Sequence, residues 1–352
     1  MARFTARLAV LVCATLGCGA RTDLELGEDE EEMLECTADL EPRVEDCDRA
    51  APDAAPLAKL FSSRVVADDE FLYYSSEGQI FRLAKTEGEP EALTPPDSIY
   101  GNIQLGADGM LYWIYYGAVM RVPTSGGEPE LVVDPEIEEP AVWTVADQFI
   151  VWTTFIDPGP LFRTSLTTGE TKELLGPEPK QTTYALTFGA ERVVVARDNG
   201  VITVPLDGGK PQVLATHGAV EVPPIVRGRH LYFGALFATM GIYRVDLETP
   251  SKPELVVPGY PNAFVFDDDA LYASIIPECT LSGEAQGRIV RVPLWGGEPA
   301  FISYTDASCQ GGGYTGGWRP LILSGCNVYF IDRCDADPSL REARLVTVSK
   351  VP

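Results

Sequence analysis

Histidine is almost absent from this chain. Of 352 residues only His217 and His230 carry an imidazole. A Ser-His-Asp hydrolase or a zinc site with histidine ligands has almost nothing to draw on. No Gly-x-Ser-x-Gly elbow surrounds a serine, and no cysteine pair has Cys-x-x-Cys spacing. Basic residues are also scarce. Lys and Arg number 27 against 52 Asp and Glu, a formal net charge of −25 at pH 7. Such a surface repels a phosphate backbone, so no nucleic-acid partner is expected. Long apolar runs are missing too. Beyond Leu8–Leu16 nothing is apolar and long enough to cross a bilayer as a helix, which takes about 20 residues. The glycine-rich string Gly311–Trp318 contains no lysine and opens no βα unit, so it is not a phosphate cradle. Neither a cofactor nor a metal is expected.

Glycine (33) and proline (28) are plentiful, and 45% of residues are hydrophobic. That composition suits a large core of short strands joined by tight turns better than one of long helices.

Residues 1–18, MARFTARLAVLVCATLGC, place Arg3 and Arg7 ahead of the apolar Leu8–Leu16. This is the build of an export signal. Its end, Thr15-Leu16-Gly17-Cys18, resembles the bacterial lipobox. The resemblance implies that Cys18 is lipid-modified and becomes the mature N-terminus, anchoring the chain to the outer membrane or cell surface. Cleavage nearby without lipid, for example after Ala20, would leave it periplasmic. Between Glu25 and Glu35 seven of eleven residues are carboxylates, and AAPDAAP follows at 50–56. Like charges at that density build no core. The expected organisation is therefore a signal over 1–17, an acidic tether over 18–56 and a folded domain over 57–352.

Cys13 leaves with the signal and Cys18 takes the lipid, so six cysteines remain. An even number in an exported chain favours disulfides. The expected pairs are Cys36–Cys47, Cys279–Cys309 and Cys326–Cys334.

A pattern recurs from residue 60 onward. Its clearest copy, DGMLYWIYYGAVMRVPTSGGEPELVV at 108–133, reads as turn, strand, tight turn, strand, Gly-Gly turn and short strand. The stretch between copies supplies a fourth strand. Aligned on the central strand, Leu72, Leu111, Ile150, Val194, Leu231 and Leu271 stand 39, 39, 44, 37 and 40 residues apart, and Val328 follows 57 later. A four-stranded unit of about 40 residues is the signature of a β-propeller. The expected fold is all-β, a seven-bladed propeller of four-stranded antiparallel blades, with a six-bladed or incompletely closed ring as alternative. Tyr73, Trp113, Trp152, Tyr232, Phe233, Tyr272 and Tyr329 are expected between blades. The last unit lacks an outer strand, which Ala58–Phe61 could supply.

The LYW-like strand, the Gly-x-[Ile/Val]-x-Arg strand (Gly78–Leu83, Gly287–Val292) and the Gly-Gly-x-Pro turn resemble bacterial extracytoplasmic propellers with TolB-type or low-density-lipoprotein-receptor-type repeats. The resemblance spans the repeats and implies binding of proteins or sugars, with lactone hydrolysis or lyase chemistry in a minority.

The acidic clusters Asp68-Asp69-Glu70 and Asp267-Asp268-Asp269, like Asp108 and Asp147, recur at one turn of the unit, where Asp bonds its own backbone. His230 opens a strand and reads as a turn residue. His217, between two units, is the histidine best placed to meet a ligand. Two insertions in the sixth unit, Ile276–Gln286 and Tyr304–Trp318, carry Cys279, Cys309, Tyr314 and Trp318. Extra loops on a propeller often form the binding surface. The expected function is non-enzymatic: a monomeric envelope or surface scaffold recognising a protein or glycan through Tyr314, Trp318 and His217. A lyase, lactonase or hydrolase at the channel mouth and a purely structural envelope protein are the alternatives.

Overall fold

Two adjacent residues on the second strand of each unit dictate the architecture. Because strand side chains alternate faces, Leu72 and Tyr73 must point to opposite sides of their sheet. Both are buried, as are Leu111 and Tyr112, Ile150 and Val151, Val193 and Val194, Leu231 and Tyr232, Leu271 and Tyr272, and Val328 and Tyr329. A sheet buried on both faces needs a neighbour on each side. A closed ring provides that for every sheet.

A computed structural model describes residues 59–60, 65–85, 88–99, 102–133, 140–146, 148–154, 159–177, 181–189, 191–216, 222–236, 239–250, 252–276, 287–294, 298–305, 321–324, 327–332 and 343–349, all within the unit Leu40–Pro352. These residues form seven four-stranded antiparallel sheets, here blades 1 to 7 in chain order. Their second strands are Phe71–Ser76, Met110–Tyr115, Phe149–Thr154, Arg192–Arg197, His230–Leu236, Ala270–Ile276 and Asn327–Asp332. First strands touch in six of the seven pairs of successive blades and so lie innermost.

Seven apolar clusters fill the seven spaces between blades. Tyr73 of blade 1 meets Leu111 of blade 2, Tyr112 meets Ile150, and Val151 meets Val193. Val194 then meets Leu231, Tyr232 meets Leu271, and Tyr272 meets Val328. Tyr329 of blade 7 packs on Leu72 of blade 1, which closes the ring. The outermost strand of blade 7 comes from the start of the domain, Lys59–Leu60, paired with Ala343 and Arg344. That is the completion expected from Ala58–Phe61. The recurrent aromatics lie in these interfaces, as expected.

Polar ties reinforce the packing. Gln104 reaches from blade 2 to blade 3, donating to the Trp143 carbonyl at 2.8 Å and accepting from the Val145 amide at 3.1 Å. Arg82 donates to the Thr124 carbonyl of blade 2, and Arg163 of blade 3 makes the matching bond to Leu206 of blade 4.

One alignment needs correction. The amide of Gly189 bonds the carbonyl of Arg192, as Asp68 bonds Phe71 and Asp267 bonds Ala270. Arg192 therefore matches Phe71, and Val193, not Val194, matches Leu72. The run Val193-Val194-Val195 is uniform in sequence, so nothing local marks which valine faces which side.

Candidate functional site

Strand direction sorts the connections. Turns between first and second strands, and between third and fourth, lie on one side of the ring, the tight-turn face. Turns between second and third strands, and the passages to the next blade, lie on the other, the loop face. The described strands that flank 277–286, 306–320 and 333–342 all end at the loop face. Cys18, Cys36, Cys47, Cys279, Cys309, Cys326, Cys334, His217, Tyr314 and Trp318 lie outside the described residues. The strands on either side of 217–221 also end at the loop face.

The acidic clusters are on the opposite side. Asp68 accepts from the Glu70 and Phe71 amides at 2.9 and 2.8 Å and from the Tyr73 hydroxyl at 2.5 Å. Asp267 closes its turn on the Asp269 and Ala270 amides in the same way. In blade 2, Asp108 takes the Tyr112 hydroxyl at 2.7 Å. His230 starts the second strand of blade 5, paired with Arg227 across the turn.

A carboxylate bonded to a phenol beside a guanidinium can look like catalytic machinery. Here it repeats. Tyr73, Arg82 and Glu91 stand in one cross-strand row, as do Tyr112, Arg121 and Glu130, and Tyr232, Arg244 and Glu254. Each arginine pairs with its glutamate at 2.7 to 3.0 Å. Burial, with the Asp108 carboxylate second, pushes the Tyr112 hydroxyl up to about 12. Burial would also raise the Asp68 carboxyl, but the bonds from Tyr73 and the two amides outweigh it and hold that group below its ordinary value. The phenol stays a donor and the carboxylate an acceptor, so neither is poised to move a proton. The row is a packing device. Among the described residues no group of three or more His, Cys, Asp or Glu stands ready for a metal.

The loop face offers different chemistry. Second strands end there in buried polar groups: Ser75 and Ser76, Thr153 and Thr154, Arg197 and Ser274. Arg197 donates to Gln181 at 2.8 Å. Beside them, blade 2 turns through Tyr115-Tyr116-Gly117. Tyr116 is 82% exposed and holds φ at 48°. Its ring stands edge-on to Tyr115, centroids 4.6 Å apart. A two-residue hairpin turn with positive φ at both central positions favours Asn-Gly or Asp-Gly. Tyrosine there is strained by about 1–2 kcal/mol. Glu77 holds the same conformation in blade 1, with φ at 49°, so what sets Tyr116 apart is its exposed ring. The sequence carried a signal for it, because blade 4 has Asp198-Asn199-Gly200 and blade 1 Glu77-Gly78 at the equivalent turn. The periodicity read Tyr115 and Tyr116 as ordinary strand and turn residues.

No protein-family model matches the chain, and no curated protein matches it in sequence. Solved structures do resemble it. An oligogalacturonate lyase from Vibrio parahaemolyticus is 12% identical, with a TM-score of 0.60 over 83% of this chain and 89% of that one. An oligogalacturonate lyase in complex with manganese is 13% identical, TM-score 0.61, over 80% and 85%. The computationally designed Ika8 protein is 14% identical, TM-score 0.52, over 84% and 98%. At these identities the likeness is one of fold, and the chain is a β-propeller.

Proposed function

We propose that this chain is an extracytoplasmic binding propeller, lipid-anchored at Cys18 on the outer membrane or cell surface, with repeats akin to the TolB or low-density-lipoprotein-receptor type. The acidic tether holds the ring away from the membrane, and the loop face takes a protein or glycan ligand. The observation that carries this reading is the Tyr116 ring, a large hydrophobic side chain left exposed at a hairpin tip of that face. Tyr314 and Trp318 belong to a connection that leaves from the same face, which supports one shared surface.

The lyase, lactonase or hydrolase alternative calls for His217 to meet several carboxylates. The clusters at Asp68 and Asp267 are at the face opposite the strand ends that flank His217, so they give that alternative no support.

The test uses the full chain, a Tyr116→Asn variant and a variant lacking Tyr304–Trp318. Each is applied to a glycan array and used to capture partners from envelope extract. One specific ligand is expected, bound at least about tenfold more weakly by both variants. Tyr116→Asn is also expected to be more stable than the parent by about 1 kcal/mol in urea denaturation. Undiminished binding by both variants would overturn the loop-face assignment.

A further inference from the structure

The cross-strand row breaks down in blade 4. Blades 1, 2, 5 and 6 carry tyrosine on the second strand and arginine on the third. Blade 3 keeps only the arginine, opposite Val151, and blade 7 only the tyrosine, opposite Thr347, whereas blade 4 has neither, with Val194 and Thr203. Where blade 1 has Asp68 in the preceding turn, blade 4 has Gly189. A phenol, a guanidinium and a carboxylate are thus replaced by much smaller groups at one interface. Gly189, Val194 and Thr203 all border a cleft of about 750 Å³ at the tight-turn face between blades 4 and 5. The equivalent place between blades 1 and 2, where Tyr73 and Arg82 stand, is a smaller cleft of about 390 Å³. Its volume falls within the range of about 300–1,000 Å³ typical of small-molecule sites.

The walls define what would fit. Leu206, Val226 and Leu247 give apolar contact. Arg192, half-buried, lies over Thr203 with Nε 2.9 Å from its hydroxyl, and among the described residues it forms no ion pair. Arg163 stands at the blade 3 end, its guanidinium over the Phe149 ring and anchored on the Leu206 carbonyl at 2.6 Å. The carboxylates of Glu191, Asp207 and Glu248 are at the rim, exposed and screened by water. Arg192 and Arg163 are half-buried, whereas Arg229, which also lines the cleft, is exposed and paired with Asp246, in a protein with a net charge of −25. A guanidinium binds a carboxylate with two parallel hydrogen bonds.

We propose that this cleft binds a small aryl carboxylate, its ring against Leu206, Val226 and Leu247 and its carboxylate on Arg192. The site is on the face opposite Tyr116, so it is independent of the loop-face reading.

The test is calorimetric titration of the full chain with 4-hydroxyphenylacetate, and with the corresponding neutral alcohol. Saturable one-site binding is expected for the acid, and at least about tenfold weaker binding for the alcohol. Arg192→Gln should weaken the acid by a similar factor. The double variant Val194→Tyr, Thr203→Arg introduces the pair found in blades 1, 2, 5 and 6 and should abolish binding while keeping the circular dichroism spectrum. If that double variant does not fold, Arg192→Gln decides alone. Tyr116→Asn should bind the acid like the parent. Absence of saturable binding at millimolar acid, equal binding of acid and alcohol, or full binding by Arg192→Gln or by a folded double variant would overturn the proposal.

Discussion

Asp246 shows what one turn residue contributes. Its Oδ1 accepts from the amides of Glu248 and Thr249 at 2.9 Å each, and its other oxygen pairs with Arg229. The Thr249 amide, with help from Arg229, holds the carboxyl at about 2, below the ordinary 3.8. A group whose folded value is depressed stabilises the fold while ionised. That contribution is fully present above the unfolded value and is lost as pH falls from about 4 towards 2. Asp246→Asn is therefore expected to lower the urea midpoint at neutral pH. The gap between variant and parent should close progressively below pH 4. A gap that stays constant down to pH 2 would mean the Asp246 charge is not involved. At this same scale the sequence was least legible in blade 4. The valine run hid a one-residue shift, and with it the fact that Val194 occupies the tyrosine position.

Among elements, the outer halves of five blades follow one rule. The pairing of third and fourth strands slips by one residue near the start of the third strand in blades 2, 3, 4, 5 and 6. A bulge there twists the outer strand away from regular pairing, which discourages edge-to-edge association of rings. In blade 4 the bulge brings backbone against backbone. A Cβ on Gly200, at φ 142°, would sit 2.0 Å from the Ala215 carbonyl oxygen. Gly200→Ala is expected to cost about 3 kcal/mol or more, because the obstacle is main chain and cannot rotate aside. Gly109, at φ 74° with nothing within 4 Å of its Cβ position, is the comparison. Gly109→Ala should cost only the left-handed strain, about 1 kcal/mol. Urea denaturation of both variants checks the difference, and equal costs would refute the close approach at Gly200. The strands were legible because alternation and turn residues are local signals. The bulges were not, because they depend on how a neighbouring strand is drawn in.

For the whole molecule, stability rests on the seam. Six blades take all four strands from consecutive chain, while blade 7 borrows Lys59–Leu60 from the start of the domain. A chain beginning at residue 64 should leave the Ala343–Ser349 strand as an open edge. It is expected to lose about 2–3 kcal/mol relative to one beginning at residue 57. Limited proteolysis should then cut first in blade 7. Equal thermal midpoints and identical cleavage patterns would show that this pairing does not hold the ring.

The sequence by itself determined the repeat, the all-β class and which aromatics are buried. Each of these follows from spacing along one strand and from turn chemistry a few residues away. It also indicated the closing strand, since a last unit lacking an outer strand must find one elsewhere. The tertiary structure alone decided the face on which each feature lies. It placed the acidic turns opposite the strand ends that flank His217, and it left a cleft between blades 4 and 5. A cleft is made of side chains that two distant segments do not supply, and such an absence has no signature until the segments are brought together.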